Sequence, residues 1–287
     1  MSITLKNVTH TYMTGTPFER TAIKNVSLSI EQGEFVAIIG HTGSGKSTLV
    51  QHLNGLLAPS VGQVTVDGID LHAQKADSIA ARRNVGMVFQ YPEYQLFEET
   101  FAADIAFGPR NFGLDEAEIE TRVREAMDFA DLDYDQYAER SPFQLSGGQM
   151  RRVAIAGVIA LKPRYLILDE PAAGLDPIGK RIIFDKIKRL HENGTTVILV
   201  SHNMDDVAQM ADRILVMHQG VLAASGTPKE IFAQRALLQD AGLDVPPVTE
   251  TLRCLKGHGL AIDDTILDLE EAAKAVLQAV RGKCHAE

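Results

Sequence analysis

The sequence predicts an α/β fold with a mixed, largely parallel core sheet, an attached antiparallel β-layer and a helical C-terminal extension. Three observations carry this prediction. GEFVAIIG (33–40), RYLILDEP (164–171) and TTVILVSH (195–202) are continuous apolar runs of strand length, as in strands buried on both faces. Helical stretches lie between these runs, and strands alternating with helices imply a parallel sheet. ITLKNVTHTY (3–12) and IKNVSLSI (23–30) instead alternate apolar and polar positions, the pattern of half-buried strands.

Taken in chain order, the segment after GEFVAIIG, KSTLVQHLNGLL (46–57), reads as a helix. VGQVTVDG (61–68) is a strand ending in a turn, and residues 115–137, rich in Ala, Glu and Arg, read as helices. RILVMHQGVLAASG (213–226) is a hairpin turning at His218–Gly220. The character changes after Pro228. A break falls at Pro246–Pro247, and Leu269, Ala273, Val276, Leu277 and Val280 mark one face of a final helix. The expected division is therefore 1–229 and a helical addition over 230–287, with no internal repeat.

Bulk properties narrow the function. A chain of 287 residues has ample length for a real core, and 45% of it is hydrophobic. The net charge of −10 argues against a surface built for phosphate backbones, so no nucleic-acid partner is expected. Cys254 and Cys284 show no framework spacing and read as free thiols in a reducing compartment. The N-terminal MSITLKNVTHTY has neither a basic n-region nor an apolar h-region, which predicts no signal peptide. The longest apolar run, Val153–Leu161, is far short of the roughly 20 residues a membrane span needs.

The chemistry lies in three motifs. Gly40, His41, Thr42, Gly43, Ser44, Gly45, Lys46 and Ser47, followed by Thr48, match GxxxxGK[ST] between a buried strand and a helix, the context of an ATP phosphate site. Backbone amides there curl around the β-phosphate, that of His41 included. Lys46 bridges the β- and γ-phosphates, and Ser47 holds Mg²⁺. Asp169 and Glu170 follow a second buried strand. Asp169 is placed to bind Mg²⁺ through water, and Glu170 to polarise the attacking water. Leu145, Ser146, Gly147, Gly148 and Gln149 spell LSGGQ before a long helix, a second anion site at a helix N-terminus. Two such sites make sense when each ATP is held between one chain's GxxxxGK[ST] and another chain's LSGGQ.

These motifs occur in one order with Gln90 at the end of VGMVFQ, Asp176 in AGLD and His202. The chain resembles the nucleotide-binding subunits of ATP-binding cassette (ABC) transporters over nearly all of residues 3–228. The resemblance implies an ABC-type P-loop NTPase with a RecA-like core and a helical subdomain over about 91–163. It also implies that Tyr12 stacks on adenine, Gln90 reaches Mg²⁺ and the attacking water, His202 contacts the γ-phosphate, and Asp176 couples two sites across a dimer. A strand aromatic in the β-layer is the bland reading of Tyr12.

The cassette alone does not choose a substrate. Soluble DNA-repair ATPases share the head but split it with a long coiled coil, and translation-associated proteins carry two cassettes per chain. Here one cassette is present, with the two phosphate motifs about a hundred residues apart. Transport is the favoured reading.

FQYPEYQLFEETFAADIAFGPRNFG (89–113) then becomes informative. It holds seven of the chain's 11 Phe and 6 Tyr, with four acids among them. Packing of the helical subdomain accounts for part of this. Acids interleaved with aromatics also suit a groove for an Arg-bearing helix, which singles out Glu93, Tyr94, Glu98 and Glu99 as contacts to a membrane partner. The wording resembles the ATPase subunits of energy-coupling factor transporters, prokaryotic importers of vitamins and related micronutrients or metal ions. HTYMTGTPFERTAIKNVSL (10–28) and IGHTGSGKSTLVQHLNGLL (39–57) are similar to the second of the two ATPase paralogues.

That family implies a peripheral subunit at the cytoplasmic face of the membrane. Its partners are a paralogous ATPase, a transmembrane coupling protein and a membrane-embedded substrate-binding component, and the C-terminal helices help to pair the ATPases. Ala172, where in that family Thr often follows the Pro after the Asp169–Glu170 pair, departs from the pattern outside the catalytic set. An ordinary ABC importer subunit is the alternative within transport.

Overall fold

The computed structural model describes residues 1–73, 76–144 and 146–284, the last three as backbone only. In chain order the elements are β1 (Ser2–Tyr12), β2 (Arg20–Glu31), β3 (Phe35–Ile39), α1 (Lys46–Leu53), β4 (Val61–Val66), β5 (Ile69–Asp70), α2 (Ala76–Arg83) and β6 (Val85–Val88). Next come α3 (Phe101–Asn111), α4 (Glu116–Phe129), α5 (Tyr134–Tyr137), α6 (Gly147–Ile159), β7 (Tyr165–Asp169), α7 (Pro177–Glu192), β8 (Thr196–Val200) and α8 (Met204–Met210). The chain closes with β9 (Arg213–His218), β10 (Val221–Gly226), α9 (Pro228–Ala233), α10 (Arg235–Asp240), α11 (Pro247–Gly257) and α12 (Leu269–Cys284).

The apolar runs form the centre of a six-stranded sheet ordered β10-β9-β3-β8-β7-β6, parallel apart from the β9–β10 hairpin. Every residue of β3 and β8 is buried, as expected for strands covered on both faces. The alternating strands form a separate antiparallel sheet, β2-β1-β4-β5. Its inner residues, among them Ile3, Leu5, Val64 and Val66, share one core with α1 and with Val36, Ile38 and Ile198 of the large sheet. The opposite face of the large sheet is covered by Ile155, Ile183 and Ile187 of α6 and α7.

The helices from α3 to α6 build a core of their own around Phe101, Ile105, Val123, Met127 and Val153. The packing shows no gap at 229. Ile231, Phe232 and Leu238 of α9 and α10 share a core with Ala37, Ile39 and Val216 of the sheet. A distinct small cluster begins only with Leu252, Ile262, Ile266 and Ala272.

One sequence expectation is corrected. The helix predicted for 46–57 ends at Leu53, because Asn54 caps it and Gly55 turns left-handed at φ 73°. The final helix forms where the sequence places it, and of its apolar stripe Val276 is half-buried while Leu269, Ala273, Leu277 and Val280 are exposed; the buried contact is made by Ala272. Cys254 is a free, exposed thiol, while the Cys284 side chain lies outside the described residues, as does Leu145. No helix among the described residues is long and apolar enough to cross a membrane.

The topology positions the chemistry. Gly40 follows β3, Gln90 follows β6, Asp169 ends β7 and His202 follows β8. Parallel strands bring their C-terminal ends to one edge, so four distant segments meet there.

Candidate nucleotide site

The four segments line one cleft of about 1110 Å³, together with Tyr12, Arg20 and the Gln219–Gly220 turn. Its floor is the loop from Gly40 to Gly45. A Cβ at Gly40 would collide with the Met217 carbonyl and the Ser44 hydroxyl, and one at Gly45 would lie 2.8 Å from the Ala22 carbonyl. Gly45 also takes φ 103° as it caps α1, so the tight loop depends on residues without side chains. Ser44 is fully buried, and its hydroxyl has no hydrogen-bond partner among the described residues.

Lys46 Nζ donates to the carbonyls of Gly40 (2.6 Å) and His41 (3.1 Å), which fold the ammonium over its own loop. Burial lowers the Lys46 pKa from its ordinary value, with the nearby Glu170 and Asp169 opposing. Burial also raises Asp169, helped by repulsion from Glu170 and opposed by Lys46, to about 6. A carboxylate held this reluctantly gains from a cation beside it. Ser47, Gln90 and Asp169 all line the cleft and offer hydroxyl, amide and carboxylate oxygens, a donor set that fits a hard divalent cation.

Across the cleft, His202 Nδ1 lies 2.7 Å from Glu170 Oε1. A carboxylate accepts, so Nδ1 carries the hydrogen and Nε2 faces other partners. Glu170 itself sits at φ 50°, a left-handed backbone unusual for a residue with a side chain. The Tyr12 hydroxyl lies 3.2 Å from Thr48 Oγ1, and its half-exposed ring forms one wall of the cleft beside His10. The His41 ring makes an edge contact with that of His218, their centroids 5.6 Å apart.

Residues 23–173 match the ABC transporter family. The energy-coupling factor transporter ATP-binding protein EcfA2 of Clostridium tetani is 53% identical over 284 residues, covering 99% of both chains. The chain belongs to the energy-coupling factor ATPases of the ABC transporter family. A relative under the same name from Symbiobacterium thermophilum is 52% identical, over 99% of this ATPase and 98% of its own length. Among solved structures, cbiO1 from Clostridium perfringens, part of the ABC transporter complex cbiONQ, superposes with a TM-score of 0.72. It is 35% identical, over 88% of this chain and 98% of its own. A dimeric ATP-binding cassette in a post-hydrolysis state, bound to ADP and Pi, gives a TM-score of 0.70 at 33% identity, over 79% of this chain and 98% of that one.

This ATPase keeps its signature away from the cleft. Ser146 caps α6, and its side chain and that of Gln149 satisfy each other's backbone amides in a capping box. Ser146, Gly148 and Gln149 line a second pocket with Gly174, Leu175 and Asp176, and among the described residues none is common to the two pockets. Gly147 is the first residue of α6, beside that pocket. Asp176 caps α7, accepting from the Gly179 amide at 2.6 Å.

The acids after Gln90 do not behave alike. Glu99 is exposed and Glu98 half-exposed, and Tyr94 is 84% exposed. Glu93 instead turns inward, 3.9 Å from the buried guanidinium of Arg151. Three contributors escaped sequence reasoning. Arg20 and the Gly242–Asp244 segment border the cleft, and Arg151 sits behind it. For Arg20 and Gly242–Asp244 no local pattern could have served, since only the tertiary fold brings them there. Arg151 carried a signal: a second Arg beside Arg152 in an otherwise apolar helix face.

Proposed function

We propose that this ATPase is the motor subunit of an energy-coupling factor importer for vitamins or related micronutrients, working as a heterodimer with a paralogous ATPase. The transmembrane partners would be a coupling protein and a membrane-embedded substrate-binding component, which places the chain at the cytoplasmic face of a prokaryotic membrane. One observation carries the pairing: the ATP cleft and the signature pocket are separate surfaces of a single chain. Each cleft therefore needs another cassette's signature to close over the γ-phosphate. The exposed Leu269, Leu277 and Val280 of α12 supply an apolar face suited to the same pairing.

Within the closed site, Lys46 leaves its own loop carbonyls for the β- and γ-phosphates, and the amides from His41 to Thr48 wrap the β-phosphate. Tyr12 stacks on the adenine. Mg²⁺, held by Ser47, Gln90 and Asp169, would neutralise charge on the phosphate oxygens. Glu170 accepts the proton of the attacking water. His202 fixes the orientation of Glu170 through Nδ1 and presents Nε2 to the γ-phosphate. Ser146, Gly147, Gly148 and Gln149 of the second cassette complete the donor set, with Asp176 joining the two sites.

Purification of the tagged chain from native membranes tests the assembly. A second ATPase and a small vitamin-binding membrane protein in the complex support this reading. A single ordinary permease in their place would make the chain a conventional importer subunit.

A further inference from the structure

Arg151 is 3% exposed, although it lies between Met150 and Arg152 on a helix that begins at the signature. A guanidinium keeps its charge, so burying it requires partners on the spot. It has three. One terminal nitrogen donates to the Ala173 carbonyl at 2.5 Å, and the other to the Glu170 carbonyl at 2.7 Å. Glu93 Oε2 stands 3.9 Å from the first nitrogen. Both Glu93 Oε2 and Arg151 Nε lack a hydrogen-bond partner among the described residues, so this ion pair is close but not locked.

The partners belong to two segments of the chain. Glu170 and Ala173 bound the turn that follows β7, closed by the Ala173 amide donating to the Glu170 carbonyl at 3.1 Å. Arg151 thus grips both ends of that turn, at a residue whose φ of 50° needs outside support. Glu93 belongs to the short 3-10 turn Pro92–Gln95, entered through Tyr91 at φ 56°. That turn connects Gln90 to the exposed Tyr94, Phe97 and Glu99.

We infer that Arg151 is a positioning residue that sets the Glu170 carboxylate, and that Glu93 makes this setting responsive to movement of the Pro92–Gln95 turn. The inference rests on Glu170 as the base. When the turn shifts, the Glu93 carboxylate moves relative to the guanidinium, whose lost counter-charge is then made up by the Glu170 and Ala173 carbonyls. The carboxylate of Glu170 changes its aim accordingly. Load on the exposed segment reaches the chemistry through one buried side chain, in parallel with Gln90.

The test uses the full-length chain in the complex it purifies with, reading kcat and KM for ATP separately and following nucleotide binding with a fluorescent ATP analogue. Arg151→Met should lower kcat at least fivefold with KM and analogue binding within twofold, and Arg151→Lys should recover part of the loss. Glu93→Gln should lower kcat two- to fivefold alone, yet add nothing in the Arg151→Met background. A kcat within twofold of wild type in Arg151→Met overturns the inference, as do additive losses. So does a KM that rises in step with the loss while Arg151→Lys brings no rescue. If Arg151→Met does not fold, Glu93→Gln decides alone, and an unchanged kcat there overturns it. Glu170→Gln, run beside these, separates the two ideas: turnover in that variant removes the base assignment, whatever Arg151 does.

Discussion

His202 Nδ1 and Glu170 Oε1 stand 2.7 Å apart, joining the loop after β8 to the end of β7. The histidine side chain is mostly open to solvent and the carboxylate mostly covered, so the pair bridges the mouth and the floor of the cleft. An acid whose geometry is set by a neighbouring imidazole is the arrangement expected of a general base. Glu170→Gln should therefore lower kcat by about 10²-fold or more, since general-base catalysis contributes on that scale. ATP should still bind, and a closed ATP-bound pair of cassettes should accumulate in size-exclusion chromatography. Near wild-type hydrolysis would sink the assignment.

Lys46 donates to the Gly40 and His41 carbonyls, and in the proposed mechanism it exchanges them for phosphate oxygens. A charge-assisted hydrogen bond contributes about 1.5–3 kcal/mol. Lys46→Met should accordingly weaken ATP binding by about 10- to 100-fold, measured with a fluorescent analogue, while circular dichroism stays unchanged. Binding within a factor of two of wild type would show that the loop amides hold the phosphates alone.

Glu99 is exposed and Glu98 half-exposed, whereas Glu93 is turned to Arg151. Glu98→Gln with Glu99→Gln should leave ATP binding intact and reduce recovery of membrane partners in a pull-down, with transport falling in parallel. An assembled, transporting double variant would return these acids to ordinary surface charge. Including Glu93 in the set should lower kcat as well, because its partner is internal.

His52 is fully buried. Its Nδ1 donates to the Leu57 carbonyl at 2.8 Å, while Nε2 lacks a hydrogen-bond partner among the described residues. Burial, with His10 and His72 adding repulsion and the Leu57 carbonyl opposing, pushes its pKa down to about 4. Protonation would place a charge on the enclosed Nε2. The folded state thus binds fewer protons than the unfolded chain between the ordinary histidine value of about 6.5 and about 4. Stability is complete above that window and declines as pH falls through it, by at most about 3 kcal/mol. Urea midpoints measured from pH 7 to 4.5 should fall for the wild type and fall less for His52→Gln. Parallel curves for the two proteins would assign the acid sensitivity elsewhere.

The motifs were legible in the chain because each is contiguous and sits at the end of a strand or the start of a helix. GxxxxGK[ST] at 40–47, Asp169–Glu170 and Ser146–Gln149 carry their geometry in neighbouring residues: a loop of glycines, a strand terminus, a capping box. Periodicity also located the core strands, since full burial of β3 and β8 demands unbroken apolar runs. The long α12 was legible as a helix but not its buried side. Helical period names an apolar stripe, and only packing selects which part of it meets the protein.

Other relationships came from tertiary structure alone. The grip of Arg151 on Glu170, Ala173 and Glu93 joins residues 93, 151 and 170–173, which share no local pattern. Glu93 looked like its acidic neighbours until a buried cation claimed it. The approach of Gly242–Asp244 to the cleft depends on α9 and α10 packing against β3 and β9. The separation of the signature from the ATP cleft follows from the fold's arrangement in space. Local conformation is set by adjacent residues and survives in sequence pattern. Charge burial and long-range apposition arise when segments far apart in the chain compete for the same interior, and only the folded chain decides that.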